Sequence, residues 1–162
     1  MVKRVVTKIG NIFCAEIDGQ YKCYFQYIAN DFTVLNSSVI RVFKRHYPIE
    51  YIPDFDEIVK DEVSFYAHTV LSVGIRYGYW SKVGKSTELG NLGNIVFRMV
   101  DEIDFRGIKK SFHWHIWNIN HPVISIGELT DEYRKADIGM VFSCIEIVHR
   151  IRTGKYTFDL PE

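Results

Sequence analysis

Hydrophobic and polar positions alternate with a period of two residues near the start of the chain, a pattern that predicts β-strands. Residues 11–18 and 20–27 flank the dipeptide Asp18-Gly19, which is the sequence signal for a two-residue type I′ hairpin turn. In that register Cys14 faces Cys23 on the buried side. We expect either two small buried thiols there or a cross-strand redox pair.

Further apolar segments extend the β-rich pattern. Residues 39–43, 65–77, 95–100 and 112–118 are rich in β-branched and aromatic side chains and are predicted to be strands. The glycine-rich segment 84–93 has few apolar residues and is predicted to be a loop. A closing edge strand is expected over residues 153–160.

Two helices are predicted from their capping residues. Asp54, with Glu57 at the third helical position, begins a short helix to about residue 60. Ser143 and Glu146 form a capping box, and Gly154 supplies the left-handed residue that ends the second helix. Together these elements predict an α+β fold: a mainly antiparallel, curved or barrel-like sheet of five to seven strands with two helices, in a single globular domain over residues 1–162.

The amino-acid composition disfavours several classes of function. Twenty basic and twenty acidic residues cancel, whereas a nucleic-acid binder usually has a surplus of Lys and Arg. The N-terminal MVKRVVTKIG lacks the apolar region of a signal peptide, and no apolar run approaches the length of a membrane span. Three cysteines fit a reducing compartment. We therefore expect a cytoplasmic protein with no membrane contact, and nucleic acid as a partner is disfavoured.

Candidate catalytic groups are few. His113 and His115 alternate on a predicted strand and project to one face. They could bind a metal ion if the fold supplied a third ligand, or they could be polar residues of a half-exposed strand. No cysteine lies in the sharp turn of a nucleophile. We expect no cofactor and no enzymatic activity.

Two groups of residues are candidates for binding a partner. The acidic stretch of residues 54–62 either stabilises the start of a helix or forms a docking surface for a basic partner. The aromatic pair before the glycine-rich segment is either core or a binding hot spot. The candidate partner-binding residues are Asp54, Asp56, Glu57, Asp61, Glu62, Tyr79 and Trp80.

Several short blocks, read together, resemble the immunity protein 26 family of bacterial polymorphic toxin systems. They are scattered over residues 3–158 and contain no metal or nucleophile signature. The blocks are Ile9-Gly10-Asn11-Ile12-Phe13, Phe25-Gln26-Tyr27-Ile28-Ala29-Asn30-Asp31, Leu35-Asn36, Val39-Ile40-Arg41-Val42-Phe43, Gly78-Tyr79-Trp80, Lys82-Val83-Gly84 and IVHRIRTG (residues 147–154) followed by Lys155-Tyr156.

This resemblance implies a cytoplasmic protein that neutralises a cognate toxin domain by binding it. Two alternatives stay open. One is a small metal-dependent hydrolase built on His113 and His115. The other is a single-stranded nucleic-acid-binding module, in which aromatic side chains stack on bases and basic residues contact the backbone.

Overall fold

The computed structural model describes residues 3–102 and 108–162, and two β-sheets form its centre. The larger sheet, in the spatial order β10-β4-β3-β2-β1-β5, consists of β1 (Asn11–Ile17), β2 (Tyr21–Asp31), β3 (Ser37–Tyr47), β4 (Val63–Thr69), β5 (Ser81–Lys85) and β10 (Val141–Phe142). The smaller sheet, in the order β8-β7-β6-β9, consists of β6 (Val96–Val100), β7 (Trp114–Asn118), β8 (Ile124–Gly127) and β9 (Asp137–Ile138).

Three α-helices accompany the sheets: α1 (Phe55–Ile58), α2 (Leu71–Arg76) and α3 (Cys144–Thr153), with a short 3₁₀ helix at Leu92–Asn94. All strand neighbours are antiparallel except the pairs β10–β4 and β6–β9. The predicted α+β class and mainly antiparallel pairing are confirmed. The described residues form more elements than the sequence pattern predicts, in two open sheets. No helix among them has the length and apolar character that a membrane crossing needs.

The first hairpin has the predicted turn but a different register. Asp18 and Gly19 both have positive φ, at 53° and 65°. However, the N–H of Gln20 bonds to the carbonyl of Ile17 at 2.9 Å, and Gln20 stays outside the ladder. The facing pairs therefore shift by one residue, and the side chains of β1 lie on the opposite face, relative to those of β2, from the face that was predicted. The predicted pairing of Cys14 with Cys23 is wrong: these free thiols point into different clusters.

Both faces of the larger sheet are buried at its centre, which explains why β1 and β2 carry apolar side chains on both faces. One face packs against α2 and α3. The other face packs against α1 at one end and against the smaller sheet at the other. The contact between the sheets is made by Ile28, Ala29, Val39, Ile95, Phe97, Trp117 and Ile119.

A buried carboxylate joins the two sheets. Asp31 Oδ2, on β2, accepts hydrogen bonds from His68 Nε2 at 2.9 Å and from Trp117 Nε1 at 2.8 Å, and its Oδ1 accepts from the N–H of Asn120 at 3.1 Å. Burial raises the pKa of the Asp31 carboxyl, but these donors outweigh it and hold that pKa below its ordinary value. Burial lowers the pKa of His68, so this pair is a carboxylate beside a neutral imidazole.

The prediction of one strand over residues 65–77 is correct for the first part of this segment and wrong for the second part. β4 ends at Thr69, and the chain then forms α2, which has no side-chain N-cap. Packing explains the helix. Gly74 lies against the indole of Trp80, where a Cβ would come within 2.0 Å of the ring, and Trp80 Nε1 donates to the carbonyl of Leu71 at 3.0 Å. Tertiary contact overrides the local β propensity.

The third helix follows the prediction at both ends. Ser143 Oγ accepts from the N–H of Glu146 at 3.2 Å, and Gly154 has φ of 85°. The predicted strand over residues 153–160 is wrong, because α3 continues to Thr153 and no strand follows. Instead, the ring of Tyr156 stacks on Phe142 with centroids 3.9 Å apart. Side-chain packing holds this segment, and the backbone of Glu162 after it bonds to Lys109 and Ser111, each at 2.8 Å.

Candidate functional site

The structure divides the predicted acidic residues into two groups. Asp54 caps α1 and accepts the N–H groups of Asp56 and Glu57 at 3.1 and 3.3 Å. Asp61 accepts the N–H of Arg45 at 2.7 Å, and Glu62 pairs with Lys44 at 3.1 Å. Three of the five acids are thus committed to local structure.

Asp56 and Glu57 are different, because both are exposed and have no ion-pair partner among residues 3–102 and 108–162. They lie in the first turn of α1, where negative charge stabilises the positive end of the helix dipole. That role uses their charge but leaves their carboxylate oxygens open. These oxygens can receive donors from outside the chain.

Asp56 and Asp61 form one wall of a cleft of about 660 Å³. The opposite wall is the segment that follows β5, which contributes a third carboxylate, Glu88. We call this the acidic cleft. Its lining residues are Arg41, Asp56, Val59, Lys60, Asp61, Ser86, Thr87, Glu88 and Gly90.

A buried arginine holds the second wall in place. Arg41 is 4% exposed. Its Nε donates to Gln26 Oε1 at 2.9 Å, and its Nη2 donates to the carbonyl of Glu88 at 2.8 Å. Gln26 in turn donates to the carbonyl of Ser86 at 3.2 Å. These bonds fix the loop to β2 and β3. Burial lowers the pKa of the Arg41 guanidinium, which has no carboxylate partner in the described part of the chain.

The charge that faces the cleft is negative. Asp56, Asp61 and Glu88 provide three carboxylates, whereas Lys60 is the exposed cation and Arg41 is turned inward. A smaller depression of about 270 Å³ next to it is lined by Glu57, Lys60 and Asp61 together with Arg45 and Tyr47. This arrangement suits a cationic side chain, because carboxylates held on a fixed backbone bind guanidinium or ammonium groups without reorganising.

The aromatic pair does not belong to this cleft. Trp80 is 3% exposed and lies in the core between α2 and the larger sheet. Tyr79 is half-buried against the same core. Neither side chain lines the acidic cleft. Their role in the structure is packing.

The two histidines are each bonded to a separate carboxylate. His113 Nδ1 lies 2.6 Å from Glu102 Oε1, and His115 Nε2 lies 2.7 Å from Asp101 Oδ1. The hydrogen bond with Glu102 raises the pKa of His113. Within the two described ranges no three His, Cys, Asp or Glu side chains are placed to hold a metal ion.

A second cleft, of about 480 Å³, has the opposite charge and was not predicted from the sequence. It lies between β6, β9, the end of α3 and the C-terminal segment, and its cations are Arg98, Arg134, Lys135, Arg150 and Lys155. Arg150 lies in the last turn of α3, where positive charge stabilises the helix dipole. The other four are scattered along the chain, so no local pattern could have grouped them.

The structure thus has two charged clefts of opposite sign. In the acidic cleft, Glu88 and Arg41 lie beside the acidic residues that the sequence indicated. Both clefts are built from side chains that bind ions, and neither presents a nucleophile held by a base. Comparison with known proteins finds no matching family model, no matching curated protein and no matching solved structure.

Proposed function

We propose that this chain is an immunity protein that binds a cognate toxin domain and neutralises it in the cytoplasm. The observation that carries the proposal is the acidic cleft, which is lined by the carboxylates of Asp56, Asp61 and Glu88. Asp61 and Glu88 are held in place by backbone N–H groups, and Asp56 is open to a partner. The sequence resemblance to the immunity protein 26 family also supports a role in binding a toxin. Neutralisation by binding needs a complementary surface of roughly 800 Å² on each partner and no chemistry.

The charge of the acidic cleft suggests the kind of toxin. A toxin that cleaves nucleic acid must attract phosphates, so its active cleft carries Lys and Arg. Those side chains would enter the acidic cleft and pair with its carboxylates. Association would be fast and sensitive to salt, because opposite charges steer the encounter.

An exposed apolar side chain lies close in sequence to the acidic residues. Ile52 is 86% exposed and precedes α1 by three residues. The backbone before α1 is held by aromatic packing, since the ring of Tyr51 stacks on Tyr47 with centroids 4.2 Å apart. An apolar side chain on a fixed backbone beside open carboxylates is typical of a protein-binding surface.

The proposal is tested with the toxin encoded beside this gene. Two quantities are measured: the rate at which this protein binds the toxin, and the survival of cells that produce the toxin with and without this protein. Asp56→Lys combined with Glu57→Lys reverses two charges without touching Asp54 or Asp61, which support the local structure. We expect the association rate to fall by about tenfold at low salt and by less at high salt. Glu132→Lys is the matched control, because this exposed acid lies outside both clefts.

Two outcomes would contradict the proposal. Cells that die equally fast with and without this protein would exclude neutralisation. A charge-reversed variant that binds the toxin as fast as the Glu132→Lys control would exclude the acidic cleft as the contact surface.

The two alternatives have their own tests. A hydrolase that uses His113 and His115 requires bound metal, so metal analysis of the purified protein decides it. In the nucleic-acid alternative Lys44, Arg45, Lys109 and Lys110 contact the nucleic-acid backbone. Two of them, Lys44 and Lys110, pair with Glu62 and Glu128 at 3.1 and 2.6 Å. Salt-dependent binding to mixed oligonucleotides would decide that alternative.

A further inference from the structure

The second cleft, which we call the cationic cleft, is organised around two partly buried arginines. Arg98, on β6, has its guanidinium 5.2 Å from the ring centroid of Trp114, and its Nε donates to the carbonyl of Ala136 at 2.9 Å. Arg150, on α3, lies 4.1 Å from the ring of Phe65 and 4.8 Å from the ring of Tyr156. Stacking on aromatic faces holds both planar groups in one orientation.

One carboxylate, Asp137, lines the cleft together with both arginines but bonds to only one of them. Asp137 Oδ1 accepts from Arg150 Nη2 at 2.8 Å, and Asp137 Oδ2 accepts from the N–H of Tyr66 at 2.9 Å. Both oxygens are therefore occupied. The carboxylate compensates Arg150 but does not bond to Arg98.

The terminal nitrogens of Arg98 have no hydrogen-bond partner in the described parts of the chain. They are also not among the buried polar atoms that lack a partner, so they reach the open space of the cleft. Burial lowers the pKa of the Arg98 guanidinium and raises the pKa of the Asp137 carboxyl, since both groups have lost much of their hydration. A partly desolvated cation with open donors is a strong site for an anion.

The rest of the lining carries both signs of charge, with cations in excess. Arg134, Lys135 and Lys155 are exposed cations, and the acids are Asp137, Asp159 and Glu162. Arg150 pairs with Asp137 and Arg134 pairs with Asp131, whereas Arg98, Lys135 and Lys155 have no ion-pair partner in the described part of the chain. These three open cations can balance a doubly charged anion.

We propose that the cationic cleft binds a small-molecule dianion through an oxyanion group, either a phosphate or a pair of carboxylates, held by the open donors of Arg98. The planar guanidinium matches either group with two parallel hydrogen bonds. The volume of about 480 Å³ lies within the range of small-molecule sites, about 300–1,000 Å³, so the site accepts a whole metabolite. This inference is independent of the proposed toxin binding, which uses the acidic cleft.

Isothermal titration with sodium phosphate and with sodium succinate tests the proposal, with sodium chloride at matched ionic strength as the blank. We expect saturable binding of at least one dianion to the full-length protein. Phosphate alone would identify a phosphate site, and succinate alone a dicarboxylate site. Calorimetric titration is needed because phosphate also stabilises proteins without binding them.

Variants locate the binding. Arg98→Gln should weaken the dianion at least about tenfold, the cost of losing a charge-assisted hydrogen bond. Arg98→Lys keeps the charge but loses the two-pronged donor, so it should bind more weakly than the wild type and more tightly than Arg98→Gln. Arg76→Gln, at an exposed position outside the cleft, is the matched control.

Arg98 also contributes to packing, so its replacement could disturb the fold. A second variant therefore changes only exposed residues of the cleft. Arg134→Gln combined with Lys155→Gln removes two exposed cations of the cleft and should weaken binding while the circular dichroism spectrum stays unchanged. Saturable binding to neither dianion would overturn the proposal. Equal affinity in the wild type, Arg98→Gln and the double variant would also overturn it.

Discussion

Replacing Asp31 by Asn tests the buried carboxylate that joins the two sheets. The shape of the side chain is kept, but its charge and one acceptor are lost. In the wild type Oδ2 serves His68 and Trp117, and Oδ1 serves the N–H of Asn120. If the amide oxygen of the variant takes the place of Oδ2, its NH₂ group faces the N–H of Asn120, and two donors confront each other.

The expected loss of folding stability can be estimated from these three hydrogen bonds. Two charge-assisted hydrogen bonds become neutral ones, at about 1 kcal/mol each, and one donor is left without an acceptor, at about 1–3 kcal/mol. We expect Asp31→Asn to lower the free energy of unfolding by about 3 kcal/mol. That loss is a large part of the stability of a typical domain, about 5–15 kcal/mol.

The pH dependence gives a second signature. The pKa of Asp31 is lowered in the folded state, so its contribution is complete above the ordinary value of about 3.9 and is lost as the pH falls through the folded value. The stability difference between wild type and Asp31→Asn should therefore be constant near neutral pH and shrink below about pH 4. His68 has a lowered pKa and remains in both proteins, so both should lose stability as the pH falls below about 6.5.

Urea denaturation followed by tryptophan fluorescence measures the effect, because Trp80, Trp114 and Trp117 are all buried. Asp131→Asn is the control, since this carboxylate is 99% exposed and pairs only with Arg134. We expect the control to change stability by less than about 0.5 kcal/mol. A loss below about 1 kcal/mol for Asp31→Asn, or one equal to that of the control, would refute the reasoning.

Three further predictions concern packing, titration and reactivity. Gly74→Ala should destabilise the protein by about 1–3 kcal/mol in thermal unfolding, because the added Cβ would meet the Trp80 ring at 2.0 Å. The pKa of His113, followed by NMR, should lie above its ordinary value and return towards it in Glu102→Gln, since the Glu102 carboxylate causes the shift. Burial raises the pKa of Cys23 to about 12, so a thiol reagent should modify Cys23 only after denaturation.

Each of these predictions has a control. For the packing prediction it is Gly93→Ala, because a Cβ there meets only Asn91 Oδ1 at 3.5 Å; equal losses at the two glycines would contradict the role of the indole. An unchanged titration of His113 in Glu102→Gln would exclude that ion pair. For the thiol, Cys14 and Cys144 are also buried, so rapid labelling of any cysteine in the folded protein would contradict the burial described above.

Elements with a local chemical signal were predicted correctly. Asp54 caps α1, Ser143 caps α3 and Gly154 ends α3, because each of these residues satisfies nearby backbone groups whatever the rest of the chain does. The turn at Asp18-Gly19 follows the same logic. The position of Gln20 does not, and this single residue outside the ladder places the side chains of β1 on the opposite face, relative to those of β2, from the face that was predicted.

Elements that depend on distant contacts could not be predicted. The β-rich pattern of residues 65–77 favours a strand, yet α2 forms because Gly74 allows the Trp80 indole to approach its backbone. That contact joins residues whose pairing no local period encodes. Likewise, residues 153–160 have strand-like composition but are fixed by the stack of Tyr156 on Phe142.

The candidate site was predicted in part for the same reason. The acidic stretch is contiguous in sequence, so its charge was visible, but the sequence cannot separate Asp54 and Asp61, which bond to the backbone, from Asp56. Glu88 joins the acidic cleft only through the bond of Arg41 to its carbonyl. The sequence pattern shows those residues of the acidic cleft that are neighbours in the chain, and it misses those that folding brings together.

Net charge is the clearest example of what the composition of a chain does not reveal about its binding sites. A balance of twenty cations and twenty anions argues against a uniform field around the molecule, and so against strong long-range attraction to nucleic acid. It does not argue against local sites, because salt screens exposed charges beyond about 8 Å under physiological conditions. The acidic and cationic clefts have no lining residue in common, so each presents its own sign to whatever comes within that distance. The two proposed ligands, a cationic partner at one cleft and an anion at the other, are therefore compatible with a neutral chain, and neither would be visible in its composition.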